Sequence, residues 1–319
     1  MKLLKPPPLK KNDLIGVVAP SSAPSLHGKI EKGVRYLERL GYRVEVGKHA
    51  KDIHGYFAGK DAHRASDLNA MFADRRIKAI FVVRGGYGTP RLLEFVDYNV
   101  IKRNPKILVG YSDITALQLA IFKKAGLVTF SGPMLAVEMF EKMDFFTEDF
   151  FWRILTSPYP IGKVSNPPHE PMRSLLRSSK KSPIVGRLLG GNLSMIVSLM
   201  GTPFFPDFAR NILVFEEVGE EPYRIDRMLT QLKLGGMLRN IRAMLIGSFV
   251  NCVPVDKKKP TLTIKQILEE LTYDLNIPIL SGFAYGHRPR KLTLPIGIRA
   301  RVNSGSRTLE LLESAVEQM

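Results

Sequence analysis

Apolar and polar positions alternate along the first half of the chain in a repeating order. A short apolar run, "DLIGVVAP" (13–20), is followed by the small-residue turn "SSAPS". The next segment, "KIEKGVRYLERLGY", places Ile30, Val34, Leu37 and Leu40 at helical spacing and stops at Gly41. "RVEVG" predicts a strand, "AHRASDLNAMFAD" a helix, and "IKAIFVVRGGYGT" a strand running into a glycine-rich turn. "PRLLEFVD" predicts a short helix with Pro90 near its start. "PKILVGYS", "ITALQLAIFKKAG" and "LVTFSGP" then read as strand, helix and strand. Strands that alternate with helices predict an α/β fold with a parallel sheet covered on both faces.

The pattern changes after residue 157. "SPYPIGKVSNPPHEPMRSLLRSSKKSP" is rich in proline and shows no period, so 158–183 reads as a connector. A second unit, 184–319, opens with "VGRLLGGNLSMIVSLMG" and continues through "ILVFEEVGEEPYRIDRMLTQLKLGG". It carries further strands at "IRAMLIGSF" and near the C-terminus. Two domains, 1–157 and 184–319, suit a chain of 319 residues.

Composition narrows the function classes. Hydrophobic residues make up 45% of the chain, enough for a full core, yet no apolar run approaches the roughly 20 residues that span a bilayer. The N-terminal "MKLLKPPPLKKND" is basic, but three prolines stand where a signal peptide needs its apolar stretch, so a cytoplasmic protein is expected. The single cysteine, Cys252, excludes an internal disulfide and any zinc site built on several thiolates. It reads as a nucleophile or, more simply, as a small hydrophobe at a strand end. The net charge of +17 raises the question of nucleic acid. The basic runs, "RSSKK" (177–181), "DKKK" (256–259) and "HRPRK" (287–291), are scattered, with no zinc-finger spacing and no RNA-binding aromatic signature. Specific nucleic-acid recognition is not expected; a basic surface that attracts anionic ligands is.

Candidate chemistry gathers at strand ends, where ligands of parallel sheets bind. Ser112, in Gly110-Tyr111-Ser112-Asp113-Ile114, lies between a strand and a helix N-terminus. It reads as a nucleophile on a sharp elbow or, with Asp113, as a plain helix cap. A second turn, "VVRGGYGTPR" (82–91), sets Gly85, Gly86 and Gly88 after a strand of the same sheet. It is a tight turn or the partner of the first: the N–H groups of Gly86 and Asp113 suit an oxyanion hole. The spacing lacks G-x-G-x-x-G and a Walker lysine, which weakens a phosphate-loop reading. Among six histidines, His49, His54 and His63 lie in a polar stretch and read as surface residues. His169 sits in the connector, His27 follows the first strand, and His287 occupies a loop between two strand-like runs. Glu216 ends an apolar strand with Glu217 beside it, and alternation sends one inward and the other to solvent. Tyr223, Arg224, Asp226 and Arg227 read as the polar face of a helix whose apolar face is Ile225, Met228, Leu229 and Leu232.

Taken in order, "VAPSS", "VRGGYGTPRLL", "LVGYSDITAL", "GGNL" (190–193), "FEEVGEEPYRIDRMLTQL" and "FAYGH" resemble the LD-carboxypeptidases. That group of serine peptidases includes murein tetrapeptide carboxypeptidases and microcin immunity peptidases. The resemblance runs from about residue 13 to 300. It implies a Rossmann-like N-terminal domain, a smaller β-rich C-terminal domain, a site between them and a homodimer. It also implies a catalytic Ser112, Glu216 and His287, with no metal or cofactor needed. The implied reaction releases terminal D-alanine from a murein tetrapeptide. A substrate carboxylate suits Arg84, with Gly85 and Tyr111 as neighbouring contacts. The rival readings are hydrolysis of a microcin-type peptidyl-nucleotide, or a non-catalytic relative that only binds muropeptides.

Overall fold

A computed structural model describes residues 2–24, 28–175, 183–256 and 258–317. The chain begins with β1 (Leu14–Val18), α1 (Gly28–Arg39), β2 (Arg43–Val46), α2 (Asp61–Ala73) and β3 (Ile77–Val82). It continues with α3 (Tyr98–Arg103), β4 (Ile107–Val109), α4 (Ile114–Ala125), β5 (Thr129–Ser131) and α5 (Phe145–Thr156). β1 to β5 pair in parallel, in the order β5-β4-β3-β1-β2. Apart from Lys78 in β3, the central strands are buried because helices cover both faces, so they read as nearly continuous apolar runs and not as alternating ones.

Local chemistry explains the departures from the sequence reading. After the glycine-rich turn the predicted helix shrinks to a 3-10 turn, Thr89–Leu92, with Pro90 in its first positions. Its natural successor is α3, whose cap is the Asp97 carboxylate, accepting from the N–H groups of Asn99 and Val100. α5 has no counterpart in the sequence reading; Asp144 caps it, and Phe150, Phe151, Ile154 and Leu155 are its buried face.

The second half supplies β6 (Gly162–Val164), β7 (Arg173–Ser174), β8 (Ile184–Asn192), α6 (Leu193–Ser198), β9 (Ile212–Val218) and α7 (Pro222–Leu234). Then follow α8 (Met237–Asn240), β10 (Ala243–Val250), α9 (Ile264–Thr272), β11 (Ile279–Ser281), β12 (Leu294–Ile296), β13 (Arg299–Asn303) and β14 (Thr308–Leu311). Among the described residues the second sheet has the order β6-β14-β13-β8-β9-β10-β11-β7. Its middle, β8-β9-β10-β11, is parallel. The proline-rich stretch thus contributes β6 and β7, both short and both at sheet edges, where proline is tolerated. The basic run 177–181 and His27 lie outside the described residues.

Two features lock the halves together. β12 leaves the second half of the chain and pairs antiparallel with β5 of the first sheet, Leu294 opposite Ser131 and Ile296 opposite Thr129. One buried apolar cluster also runs continuously from Ile15 and Phe81 to Phe215 and Ile246. The C-terminal ends of β3, β4, β8 and β9 therefore sit on a shared, rigid frame. No helix among the described residues is long and apolar enough to cross a membrane.

Candidate active site

The corner after β4 is held from several sides. Gly110 N–H donates to Phe130 O, its carbonyl accepts from Gly132 N–H, and the Gln118 amide donates to the same carbonyl at 2.9 Å. Ser112 then adopts φ 65°, in the left-handed region that costs a non-glycine residue roughly 1–2 kcal/mol. This backbone turns the hydroxyl out of the strand while α4 starts at once.

Asp113 stands at the N-cap position of α4, but its side chain makes no cap hydrogen bond. The carboxylate instead accepts from Ser21 Oγ at 2.6 Å, Thr89 N–H at 2.9 Å and Gly88 N–H at 3.3 Å, and the Thr89 hydroxyl donates to its carbonyl. Asp113 thereby ties the elbow to the end of β1 and to the glycine-rich turn. Close approach explains the glycine at 85, where a Cβ would stand 2.9 Å from Ser112 Cβ and 3.2 Å from its Oγ. Among the described residues, neither the Gly86 N–H nor the Asp113 N–H donates to a protein acceptor.

The second half brings an imidazole and a carboxylate to Ser112. His287, in the loop after β11, places Nε2 3.0 Å from Ser112 Oγ and Nδ1 2.7 Å from Glu216 Oε2. The His287 backbone N–H also donates to Glu216 Oε2, at 3.3 Å. A carboxylate accepts only, so it accepts a hydrogen bond from Nδ1–H and leaves the Nε2 lone pair facing the serine hydroxyl. Glu216 is 1% exposed, which keeps water from competing for the imidazole. The preceding Gly286, at φ 108°, passes so close that a Cβ would lie 2.6 Å from Glu216 Oε2. The Tyr111 ring meets the imidazole edge-on, with centroids 5.0 Å apart.

Glu217 departs from the alternation argument, for it does not reach solvent and is 2% exposed. It accepts from Asn192 Nδ2 at 2.7 Å, Ser194 N–H at 2.8 Å, Ser194 Oγ at 2.7 Å and Val218 N–H at 2.9 Å. Burial raises its pKa above the ordinary carboxylate range, although these donors pull the other way. Asn192 Nδ2 also reaches Glu216 Oε1 at 3.3 Å, so one amide spans both acids. Asn192 is held by its own N–H on Thr115 Oγ1 and accepts from Met195 N–H as the cap of α6. Its signal in the sequence, an asparagine after the glycine pair of "GGNL", marks a helix cap but not a carboxylate bridge. Ser21 and Thr115 left no readable signal.

A cavity of about 830 Å³ opens beside His287, lined also by Tyr111, Glu138, Lys142, Phe145 and Lys291. Glu138 accepts from the Tyr111 hydroxyl at 2.8 Å and from Lys291 Nζ at 2.6 Å, and Lys291 stands 4.1 Å above the Tyr111 ring. Burial, with Glu138 alongside, raises the Tyr111 pKa well above that of a free phenol, so it stays a donor. Arg84 does not line this cavity. It borders a neighbouring pocket of about 330 Å³ with Lys29 and Phe140, and its guanidinium donates to Gly85 O at 3.1 Å and Ala23 O at 3.5 Å. Arg84 therefore braces the turn behind Ser112.

His49 and His63 pair with Asp52, and His169 is exposed; none of them bonds to Ser112 or Glu216. Cys252 is 7% exposed, and burial pushes its thiol up to about 11, as expected of a packed hydrophobe.

Comparison with known proteins places this architecture. A model of the LD-carboxypeptidase N-terminal domain matches residues 15–132, and one of the LD-carboxypeptidase C-terminal domain matches residues 185–302. A probable murein peptide carboxypeptidase of Bacillus subtilis is 38% identical over 322 residues, covering 98% of this chain and 96% of its own. The solved structure of microcin C7 self-immunity protein MccF in its wild-type apo state superposes with a TM-score of 0.87 at 27% identity, covering 98% of this chain and 100% of that one. That of a muramoyltetrapeptide carboxypeptidase from Oxalobacter formigenes gives a TM-score of 0.80 at 30% identity, covering 93% of this chain and 97% of that one.

Proposed function

The chain belongs to the LD-carboxypeptidase family, and we propose that it is a serine carboxypeptidase that releases terminal D-alanine from murein tetrapeptides. The observation that carries the reading is the unbroken run of contacts from Ser112 Oγ through His287 to Glu216, 3.0 Å and then 2.7 Å.

In this reading Ser112 Oγ attacks the carbonyl carbon between the L-centre and the D-residue as its proton passes to His287 Nε2. Glu216 holds the ring and stabilises the imidazolium that forms. The Gly86 and Asp113 N–H groups receive the oxyanion; one such donor accounts for roughly 3–4 kcal/mol in comparable enzymes. His287 then gives its proton to the leaving amine of D-alanine. Water, deprotonated by the same imidazole, frees the acyl group from Ser112. The cavity beside His287 holds the peptide, with Tyr111 on its wall.

The same proposal assigns 1–157 and 184–319 as the two domains, with the site at their junction. It places the enzyme in the cytoplasm, in cell-wall recycling, as a homodimer acting without a metal or cofactor. Sedimentation of the purified protein tests the dimer.

The direct test follows free D-alanine from a murein tetrapeptide, with Ser112→Ala alongside. Release by the wild type alone supports the reading; equal release by both removes Ser112 from the mechanism. A parallel arm with an aspartyl sulfamoyl adenosine, the kind of molecule bound in one MccF structure, separates the two substrate classes. Turnover there without D-alanine release moves the assignment to a peptidyl-nucleotide. No turnover on either leaves a muropeptide-binding protein.

A further inference from the structure

We propose that His49, Asp52 and His63, none of which bonds to Ser112, form a binding site for one divalent late first-row transition metal ion, of the zinc, nickel or copper type. Two of the three donors come from the turn after β2 and the third from the first turn of α2. One atom from each, an imidazole nitrogen or a carboxylate oxygen, lies within 4.8 Å of the others. His49 Nδ1 and His63 Nδ1 converge on the same oxygen, Asp52 Oδ2, at 2.8 and 3.4 Å, and the two rings stack with centroids 4.1 Å apart.

That convergence is close to coordination geometry. Ligand bonds of about 2.0–2.2 Å in a tetrahedral shell separate neighbouring donors by roughly 3.4 Å. The His63 contact already has this spacing. The His49 contact needs to open by only about 0.6 Å from its 2.8 Å. A single cation would then satisfy two nitrogen lone pairs and one carboxylate oxygen at once.

The scaffold is fixed before any ion arrives. The His49 N–H donates to the buried Asp67 carboxylate at 2.8 Å, and Asp52 N–H donates to His49 O at 3.0 Å. The rest of the loop is closed by His54 and Phe57, which exchange backbone hydrogen bonds, and by Ala58 N–H on Ser21 O. Gly59 crosses close behind Asp52, where a Cβ would stand 2.8 Å from Asp52 Cβ. On the open side the His63 and Asp52 side chains are 44% and 41% exposed, which leaves an entry path and room for water as a further ligand. Two imidazoles and one carboxylate favour borderline metals over calcium or magnesium, which prefer all-oxygen shells.

The test uses untagged, full-length protein treated with chelator and desalted, titrated calorimetrically with zinc and then with cobalt, whose visible absorption reports nitrogen ligation. The expected result is one zinc ion per chain, no heat with magnesium, and cobalt absorption that zinc abolishes. His63→Ala is expected to weaken zinc binding by roughly 10- to 100-fold or more, and His54→Ala, beside the cluster but outside it, to leave binding unchanged. Asp52→Asn, nearly the same shape, repeats the loss if His63→Ala disturbs folding by circular dichroism. Absence of zinc uptake by the wild type, or wild-type zinc affinity retained in both cluster variants, overturns the proposal.

Discussion

Ser112 Oγ and His287 Nε2 are 3.0 Å apart although 175 positions of chain separate them. Ser112 lies in the corner between β4 and α4 and His287 in the loop between β11 and β12, so the contact exists only when both halves of the chain are folded. Ser112 also bears a left-handed backbone. Replacing it by Ala or Gly should abolish turnover, with losses on the order of 10⁶-fold typical for a serine nucleophile. The two variants should differ in stability, because only glycine occupies φ 65° without strain. Ser112→Gly should exceed Ser112→Ala by about 1 kcal/mol in urea denaturation. Equal midpoints would mean that the elbow stores no strain.

Glu216→Gln keeps the size of the side chain but can present an N–H to His287 Nδ1. The ring then loses the tautomer that frees Nε2, and kcat should fall by about 10⁴-fold while the fold persists. A steady-state assay beside a thermal melt checks this; a loss below tenfold would leave Glu216 outside the mechanism.

Gly85→Ala adds a methyl group 2.9 Å from Ser112 Cβ. Something must shift, and the serine is the nearest side chain. Displacement of a nucleophile by as little as 1 Å can cost about 10²-fold in rate. The expected signature is a kcat loss of that order with little change in melting temperature.

Glu217 supplies a pH test. Its folded-state pKa is raised by burial. Above the ordinary value of 4.5 the native state therefore holds this proton longer than the unfolded chain does. Native protein then binds more protons than unfolded, and stability falls as pH rises through that window. Glu217→Gln cannot titrate, so the wild type should lose ground to it as pH climbs from about 4.5. Denaturant midpoints of both proteins across pH measure the difference; parallel curves would contradict the raised value.

Cys252 should be inert. With its thiol pushed up to about 11, almost no thiolate exists near neutral pH, so alkylating reagents should react only as the protein unfolds. Cys252→Ala should retain full turnover and lose roughly 1 kcal/mol or less of packing. Rapid labelling of native protein would refute the burial argument.

What the sequence determined by itself is the periodicity of the strands and helices and the residue types that stand at strand ends. "ILVGYSDI" has to end a buried strand and start a helix, and "ILVFEE" has to carry acids to the end of another. These are consequences of local pattern, since 2- and 3.6-residue repeats and turn residues act within a few positions. Tertiary structure decided the rest. Alternation predicted one buried and one solvent-facing acid, but could not tell that Glu217 is also covered, by Asn192 and Ser194. A cap was a sound local reading of Asp113, yet Ser21 and Thr89, brought up from other strand ends, compete for that carboxylate and hold it. Arg84 and Tyr111 both stand at strand ends next to Ser112 or its turn, and only packing assigns the first to the turn and the second to the cavity wall. His49 and His63 look like ordinary surface residues until the loop between β2 and α2 folds back and brings both onto Asp52. In each case the deciding contact joins segments far apart in the chain, and such contacts form because the sheets and their shared core bury apolar area together, a driving force that no short window of sequence contains.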